Sequence, residues 1–475
     1  MVDVQLKVIE KRVFHIAGFI VVALGCGLFT NQIILSDFME EHQINIRMFR
    51  PMESYQKYGG VLTFARSVGY AVVKKPEGYT TAKVDQIIQE YEKKSANEQQ
   101  STAKQYPNII TVVNETFADI KVLGDFKTNE DYMPYFHSLK KNCVTGYTYA
   151  SIVGGQTANT EFELLTGNTL GFLSAGTTAF QLYIHGQMPS LVSNLKAEGY
   201  SGNKAMHPFN PYNYNRPAVY KDFGFADFID KFDFPKNVKR VREYISDEAN
   251  VDRIISEYEK NRKKTDQPFY MYNMTIQNHS PYDKDAANFK QPIKIESSKY
   301  DAEANRYLNL IKYSDDSLKQ LTSYFEKCKE PTIILFLGDH QPRLTDEFMN
   351  KITNGQYQTW SGEQMMKRYQ VPFVIWANYD IKEQHIEKTS MNYIQSILTQ
   401  TAGVKMTGYQ RFLNEVRKEV PTITSQGYWG KNGKFYQIND KGSPYYGIIQ
   451  KYRMIQYNMM FDKKNRRDSF FEVSK

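Results

Sequence analysis

Four residues that could bind one divalent cation lie far apart in the chain, each in its own short motif. Glu115 closes the run PNIITVVNE, and Thr157 follows the run VGGQ. Asp339 and His340 end the run TIILFLGDH. Two carboxylates, an imidazole and a hydroxyl suit a divalent cation that activates the hydroxyl for attack on a phosphorus or sulfur ester. The sequence therefore predicts one metal site with Thr157 as its nucleophile.

Thr157 opens the segment TANTEFELLTG, which predicts a short helix after a tight glycine loop, with Gly167 as its stop. The N-terminus of a helix directs free backbone N–H groups outward and favours an anion there. Taken alone, a threonine at this place is more simply a helix cap. Together with Glu115 and Asp339-His340, however, Thr157 is better interpreted as a nucleophile. A threonine alkoxide needs a metal to form at neutral pH, and those residues could bind one.

Three of the eight histidines lie in motifs that suit a site. His340 follows Asp339, His279 lies in TIQNHSPY, and His207 opens HPFNPYNYNR. So few candidates indicate one metal rather than the two of an alkaline phosphatase. The three cysteines form no Cys-x-x-Cys pair, which argues against a zinc knuckle or a disulfide framework.

Short apolar, β-branched runs alternate with helical segments after Pro107, and this alternation predicts a mostly parallel sheet with helices on both faces. The predicted strands are Ile109–Val113, Phe269–Ile276, Thr332–Leu337 and Val371–Trp376, and the predicted helices include Thr160–Leu165, Met188–Glu198 and Ala302–Lys327. Such sheets bind ligands at the carboxyl ends of their strands. Glu115, His279 and Asp339-His340 each lie just past a predicted strand.

Residues 13–35 read VFHIAGFIVVALGCGLFTNQIIL, which is long enough for one membrane helix. Basic residues precede the run and acidic residues follow it, so residues 1–12 are expected in the cytoplasm and the rest outside the cell membrane. The alternatives are a cleaved signal peptide and a lipoprotein cleavage box at Cys26. We expect residues 36–104 to form a stalk or linker, 105–404 a catalytic domain, and 405–475 a C-terminal extension packed on that domain.

The net charge of +8 over 475 residues fits work near an anionic surface. Lys and Arg are not concentrated in one arm, so a nucleic-acid partner is not expected.

At these motifs the chain resembles the lipoteichoic acid synthase branch of the sulfatase/alkaline phosphatase superfamily, over roughly residues 50–465. The resemblance rests on the order and spacing of four runs: NIITVVNE, GGQTANTEFELLTG, NHSPY and LGDH. It implies the fold of that superfamily. It also implies one Mn²⁺ or Mg²⁺ per chain, bound by Glu115, Thr157, Asp339 and His340.

The same resemblance implies the reaction. Thr157 would attack phosphatidylglycerol, release diacylglycerol and carry a glycerophosphoryl group to a glycolipid or polymer acceptor. His279 would hold the phosphate or protonate a leaving oxygen. Arg216 is similar to the family's arginine in a tryptophan-asparagine-arginine segment, with Tyr214 in place of the tryptophan, and both would contact substrate together with His207.

Alternatives to this function stay open at this point. One is an extracellular metal-dependent phosphodiesterase or a phosphoethanolamine-type transferase, and another is a non-catalytic scaffold of envelope synthesis. The Cys/Ser-x-Pro-x-Arg signature of formylglycine sulfatases surrounds no cysteine, since Val-Thr-Gly-Tyr follows Cys143. A sulfate-ester hydrolase is therefore not expected.

Overall fold

A computed structural model of the chain describes residues 2–35, 51–71, 73–95, 105–296, 301–355 and 357–473. The chain divides into two compact units. The smaller unit comprises Met1–Lys74 with Leu173–Thr178, and the larger unit comprises Lys75–Phe172 with Ala179–Lys475. Two parts of the predicted stalk, residues 36–50 and 96–104, lie outside the described residues.

The smaller unit is helical, and its N-terminal helix is suited to a membrane. Its helices are α1 (Val2–Phe29), which continues as a π-helical segment (Thr30–Leu35), α2 (Pro51–Tyr58) and α3 (Gly60–Ala71). The stretch Lys11–Ile33 has a mean hydropathy of 2.1, and none of it is buried in the protein. Among the described residues this helix alone is long and apolar enough to cross a bilayer.

The larger unit is built around one eight-stranded mixed sheet. The strands of this unit are β1 (Asn108–Asn114), β2 (Cys143–Tyr149), β3 (Ser201–Met206), β4 (Asp227–Ile229), β5 (Arg240–Val241), β6 (Tyr244–Ile245), β7 (Phe269–Met274), β8 (Thr332–Gly338), β9 (Gln370–Ala377), β10 (Gln384–Ser390), β11 (Thr422–Thr424), β12 (Gly427–Trp429) and β13 (Phe435–Tyr436). The large sheet has the order β10-β2-β9-β8-β1-β7-β3-β4, and β9 alone runs antiparallel to its neighbours. The predicted sheet, mostly parallel, is confirmed, and all four predicted strands belong to it.

Helices cover both faces of the sheet. They are α4 (Thr81–Ser95), α5 (Pro134–Ser138), α6 (Thr157–Thr166), α7 (Ala179–Leu182), α8 (Leu191–Ala197), α9 (Arg216–Phe223), α10 (Asp247–Arg262), α11 (Ala302–Phe325), α12 (Asp346–Ile352), α13 (Gly362–Met365), α14 (Met391–Thr401), α15 (Gly408–Glu419), α16 (Tyr446–Met460) and α17 (Asp468–Phe471). Strands β1, β7 and β8 are buried along their whole length, as expected for central parallel strands covered on both faces. On one face Ile110 and Phe336 join a core with Leu310 and Leu318 of α11.

Helix α4 lies within the predicted stalk, yet it belongs to the larger unit. The guanidinium of Arg467 donates to both carboxylate oxygens of Asp85 at 2.6 and 2.8 Å. Lys451 of α16 pairs with Glu90 at 2.7 Å. The C-terminal region therefore contacts a segment almost 400 positions earlier in the chain through paired charges.

Candidate active site

The three side chains of the predicted metal site meet at the carboxyl ends of two neighbouring strands. Strands β1 and β8 pair in parallel with Asn114 opposite Gly338, so Glu115 and Asp339 are the next residues on adjacent strands. One ligand atom from each of Glu115, Asp339 and His340 lies within 4.8 Å of the others, and all three side chains are buried. A Cβ at Gly338 would lie 1.8 Å from the carbonyl oxygen of Phe117, so glycine is needed just before the ligands.

Two atoms of this cluster are buried without a hydrogen-bond partner among the described residues: Oδ2 of Asp339 and Nε2 of His340. They lie 3.2 Å apart. Nδ1 of His340 lies 3.0 Å from the carbonyl oxygen of Gln341, to which it can donate, and this bond leaves a lone pair on Nε2. Buried polar atoms normally have partners, so this pair fits a bound cation.

Backbone N–H groups hold Oδ1 of Asp339, and Thr116 holds Oε1 of Glu115. Oδ1 of Asp339 accepts from the N–H groups of Thr116 and His340 at 2.7 and 2.8 Å. The hydroxyl of Thr116 donates to Oε1 of Glu115 at 2.9 Å. Burial, together with the charge of Asp339, raises the pKa of Glu115 to about 8. Two buried carboxylates beside an imidazole thus suit a divalent cation such as Mn²⁺ or Mg²⁺.

Thr157 is the first residue of α6, as predicted, and it is buried. Gln156 before it adopts φ 66°, and Gly167 ends the helix at φ 71°, where its N–H donates to the carbonyl of Glu163. The hydroxyl of Thr160 donates to the carbonyl oxygen of Asp339 at 2.8 Å. This bond ties the first turn of α6 to the strand end that carries the ligands.

Arg216 lies at the start of α9 and forms a buried ion pair with Glu161 of α6. Its Nε and Nη2 donate to Oε1 of Glu161 at 3.1 and 2.6 Å. The other oxygen of Glu161 accepts from the hydroxyls of Tyr220 and Tyr272. The ring of Tyr214 lies 5.1 Å from the guanidinium carbon. Nη1 is therefore the nitrogen of Arg216 that Glu161 does not engage.

The two other predicted histidines lie within electrostatic reach of these groups. Burial lowers the pKa of His207 well below its usual value, and the charges of Arg216 and His279 add to the effect. Burial also lowers the pKa of His279, against the opposing carbonyl of Ser280 and the charge of Asp339. Nδ1 of His279 lies 2.7 Å from that carbonyl oxygen, which leaves Nε2 as a neutral base.

Arg242 is a residue of the site region that the sequence did not reveal. It lies in the turn between β5 and β6 with φ 56°. Its guanidinium donates to the carbonyl oxygens of Gln277, His279 and Pro281 at 2.7 to 2.8 Å. One arginine thus clamps the loop that carries His279. No motif marks it, because the contact joins a two-strand hairpin to a distant loop.

Comparison with known proteins places this architecture in a family. The family model for sulfatases matches residues 107–404, well over half of the chain. The chain belongs to the sulfatase family. In this sulfatase-family chain the matched region contains every residue of the predicted site.

Relatives of this sulfatase-family chain confirm its resemblance to the lipoteichoic acid synthase branch. It is 30% identical over 433 residues to a protein of Rhizobium meliloti named for cyclic beta-1,2-glucan modification, covering 90% of this chain and 65% of that protein. It is 27% identical over 237 residues to the lipoteichoic acid synthase-like YvgJ of Bacillus subtilis, covering 49% and 36%. The chain thus spans less than two thirds of the length of these curated relatives.

Solved structures show the same fold. The phosphoglycerol transferase GacH of Streptococcus pyogenes, in complex with sn-glycerol-1-phosphate, superposes with a TM-score of 0.68 at 21% identity, covering 85% of this chain and 100% of that one. The lipoteichoic acid synthase LtaP of Listeria monocytogenes gives 0.58 at 20% identity, covering 82% and 98%. The predicted sulfatase/alkaline phosphatase-like fold is confirmed.

Proposed function

We propose that this chain is a metal-dependent phosphoglycerol transferase that moves glycerophosphate from phosphatidylglycerol to an envelope acceptor through Thr157. The observation that carries the proposal is the buried pair of unpartnered atoms, Oδ2 of Asp339 and Nε2 of His340, beside the helix that begins at Thr157. Glu115 is proposed as the third ligand and Thr157 as the fourth. A bound Mn²⁺ or Mg²⁺ would lower the pKa of the Thr157 hydroxyl.

Thr157 and His279 carry out the two half-reactions. Oγ of Thr157, as its alkoxide, forms a bond to phosphorus. The bond from phosphorus to the diacylglycerol oxygen breaks, and that oxygen leaves with the proton carried by His279. In the second half-reaction the acceptor oxygen attacks phosphorus, the bond to Thr157 breaks, and Nε2 of His279 takes the acceptor's proton. His279 can then pass that proton to the next leaving oxygen. Its lowered pKa suits the base role near neutral pH.

We propose that Arg216 binds the negatively charged phosphate of the phosphoglyceryl group. Glu161 fixes the guanidinium through Nε and Nη2, so the plane of Arg216 is set before substrate arrives. Tyr214, whose ring lies 5.1 Å from the guanidinium carbon, and His207, whose pKa the charge of Arg216 lowers, are assigned to the head group. A preorganised arginine stabilises a phosphoryl transition state without reordering its own side chain.

The membrane assignment follows from the N-terminal helix. We propose that Lys11–Ile33 anchors the protein once in the cell membrane, with the catalytic domain outside. The donor, phosphatidylglycerol, and a glycolipid or polymer acceptor would then reach the site at the extracellular surface of the cell membrane.

Replacement of Thr157 tests the proposal. Thr157→Ala should abolish release of diacylglycerol from a fluorescent phosphatidylglycerol in Mn²⁺ buffer, because the proposed mechanism has no other nucleophile to accept the phosphoryl group. Thr157→Ser retains a hydroxyl and should keep measurable turnover. Metal content by elemental analysis should remain near that of the natural protein in both. Normal turnover by the alanine variant would remove Thr157 from the reaction.

A further inference from the structure

A buried carboxylate that the proposed reaction does not use lies at the start of α10. Asp247 is the first residue of this helix and is 1% exposed. The hydroxyl of Ser246 accepts from the N–H of Ala249 and caps the helix, which fixes the backbone beside Asp247. Burial raises the pKa of Asp247, and among the described residues neutral groups rather than a cation oppose that rise. A carboxylate buried in this way depends on hydrogen bonds for its stability.

Three neutral donors converge on one oxygen of this carboxylate. Oδ2 accepts from Nδ2 of Asn114 at 2.8 Å, from the hydroxyl of Ser314 at 2.6 Å and from Nε2 of Gln277 at 3.4 Å. The donors belong to the end of β1, to α11 and to the loop after β7. Asp247 therefore joins α10 to three other segments of the chain.

One of these contacts leads to the metal cluster. Asn114 is the last residue of β1 and directly precedes Glu115. Its amide is held from both ends, because Nδ2 donates to Asp247 and Oδ1 accepts from Nδ2 of Asn278 at 3.1 Å. The N–H of Glu115 donates to the hydroxyl of Thr275 at 3.0 Å, and Thr275 is a further hydrogen-bond partner that opposes the raised pKa of Asp247. The strand end that carries Glu115 is thus held against the start of α10.

A second contact leads to the loop of His279. Gln277 lies two positions before His279, and its side chain engages both the backbone and the carboxylate of Asp247. The N–H of Asp247 donates to Oε1 of Gln277 at 3.0 Å, while Nε2 of Gln277 donates to Oδ2. Nδ2 of Asn278 also donates to the hydroxyl of Ser314 at 2.8 Å. The two residues before His279 are therefore tied to the same carboxylate network as the strand end.

We propose that Asp247 is a positioning residue that holds Glu115 and His279 in their places relative to one another. The inference rests on the proposed function, in which Glu115 binds the metal and His279 transfers protons. Asp247 acts through Asn114 and Gln277. Displacement of a reacting group by about 1 Å can lower a rate roughly 100-fold, so a fixed spacing between the metal and the base favours the reaction.

Substitution of Asp247 in the full-length protein tests this role. Asp247→Ala should lower kcat for diacylglycerol release about 10–100-fold, with the donor KM little changed. It should also weaken Mn²⁺ binding about tenfold, measured by calorimetry on the metal-free protein, because the support behind Glu115 is lost. Asp247→Asn should restore both quantities, since an amide oxygen can accept the same hydrogen bonds.

Asp315→Ala provides a matched control. Asp315 is as deeply buried, and its carboxylate accepts from the N–H groups of Tyr135 and Phe136 at 2.9 and 2.7 Å. Those two residues lie in α5, which carries none of the proposed site residues. Asp315→Ala should lower Tm, as Asp247→Ala does, and should leave kcat and Mn²⁺ affinity unchanged.

The two links can also be cut one at a time, which keeps the test decisive if Asp247→Ala does not fold. Gln277→Ala removes the link to the His279 loop, so it should lower kcat and leave Mn²⁺ affinity near that of the natural protein. Asn114→Ala removes the link to the strand end of Glu115, so it should weaken Mn²⁺ binding.

Natural kcat and Mn²⁺ affinity in Asp247→Ala, or in both single-link variants, would overturn the inference. Equal losses in Asp315→Ala would overturn it as well, because they would reflect general destabilisation. Failure of Asp247→Asn to restore the two quantities would exclude hydrogen bonding as the means of positioning. Failure of the proposed function would appear separately, as a natural protein that binds Mn²⁺ and releases no diacylglycerol; the comparison of Mn²⁺ affinities would still decide whether Asp247 supports Glu115.

Discussion

The buried pair of Glu161 and Arg216 allows the sharpest prediction about stability. Glu161→Gln keeps the size of the side chain and removes its charge, so a guanidinium that is 1% exposed loses its counter-charge. Breaking a buried ion pair from one side costs about 3–5 kcal/mol of unfolding free energy. With an unfolding entropy of about 2 cal/mol/K per residue, a unit of this size should lose roughly 4–6 °C in Tm.

Glu163, two positions along the same helix, provides a matched control. It is as deeply buried, but its Oε1 accepts from the hydroxyls of Ser151 and Thr169 and the N–H of Leu170. Within the described part of the chain, no cation contributes to its electrostatics. Burial raises the pKa of Glu163 to about 7, so near neutral pH about half of this side chain is already uncharged. Glu163→Gln should therefore cost only about 0.5–1.5 kcal/mol.

Thermal unfolding of the two variants, followed by circular dichroism or calorimetry at neutral pH, measures the difference directly. Glu161→Gln should also weaken donor binding, because Arg216 loses the group that orients it. Equal Tm losses for the two variants would refute the argument that the charge of Arg216, rather than burial alone, sets the cost.

Three further outcomes follow from the site. Asp339→Asn should weaken Mn²⁺ binding by more than the roughly 10–100-fold cost of losing an outer-shell partner, and unchanged metal stoichiometry by elemental analysis would exclude Asp339 as a ligand. The transfer rate should fall at a pH below 6.5, with the dependence of a single protonation, because His279 has a lowered pKa and acts when neutral. His279→Gln should abolish this acidic fall in rate and lower the rate about 10²–10⁴-fold. Arg242→Ala should reduce kcat up to about 100-fold at an unchanged donor KM, since it loosens only the loop of His279, and steady-state kinetics with intact KM and kcat would contradict this.

Local sequence patterns were sufficient for much of the site. Apolar β-branched runs revealed β1 and β8. The paired residues Asn108 and Thr332 are 224 positions apart in the sequence, and the parallel pairing of the two strands explains why Glu115 and Asp339 meet. The glycine after TANTEFELLT correctly marked the end of α6.

Other features depend on contacts between distant segments, which no local pattern encodes. The direction of β9 is set by its neighbours, since an apolar run reads the same way in either orientation. The pairing of Arg216 with Glu161 makes a positioning group of a glutamate that reads only as a helix residue. Arg242 likewise acquires its place from the hairpin that carries it.

Mass spectrometry of the phosphoryl intermediate tests the central claim most directly. The purified full-length protein with Mn²⁺ is mixed with phosphatidylglycerol, quenched in acid and digested, and the peptide containing Thr157 is sequenced. The account predicts a glycerophosphoryl adduct on Thr157 in the natural protein and none in Thr157→Ala. Diacylglycerol release by the natural protein with the adduct on another residue, or with no adduct under conditions that trap it, would contradict the account.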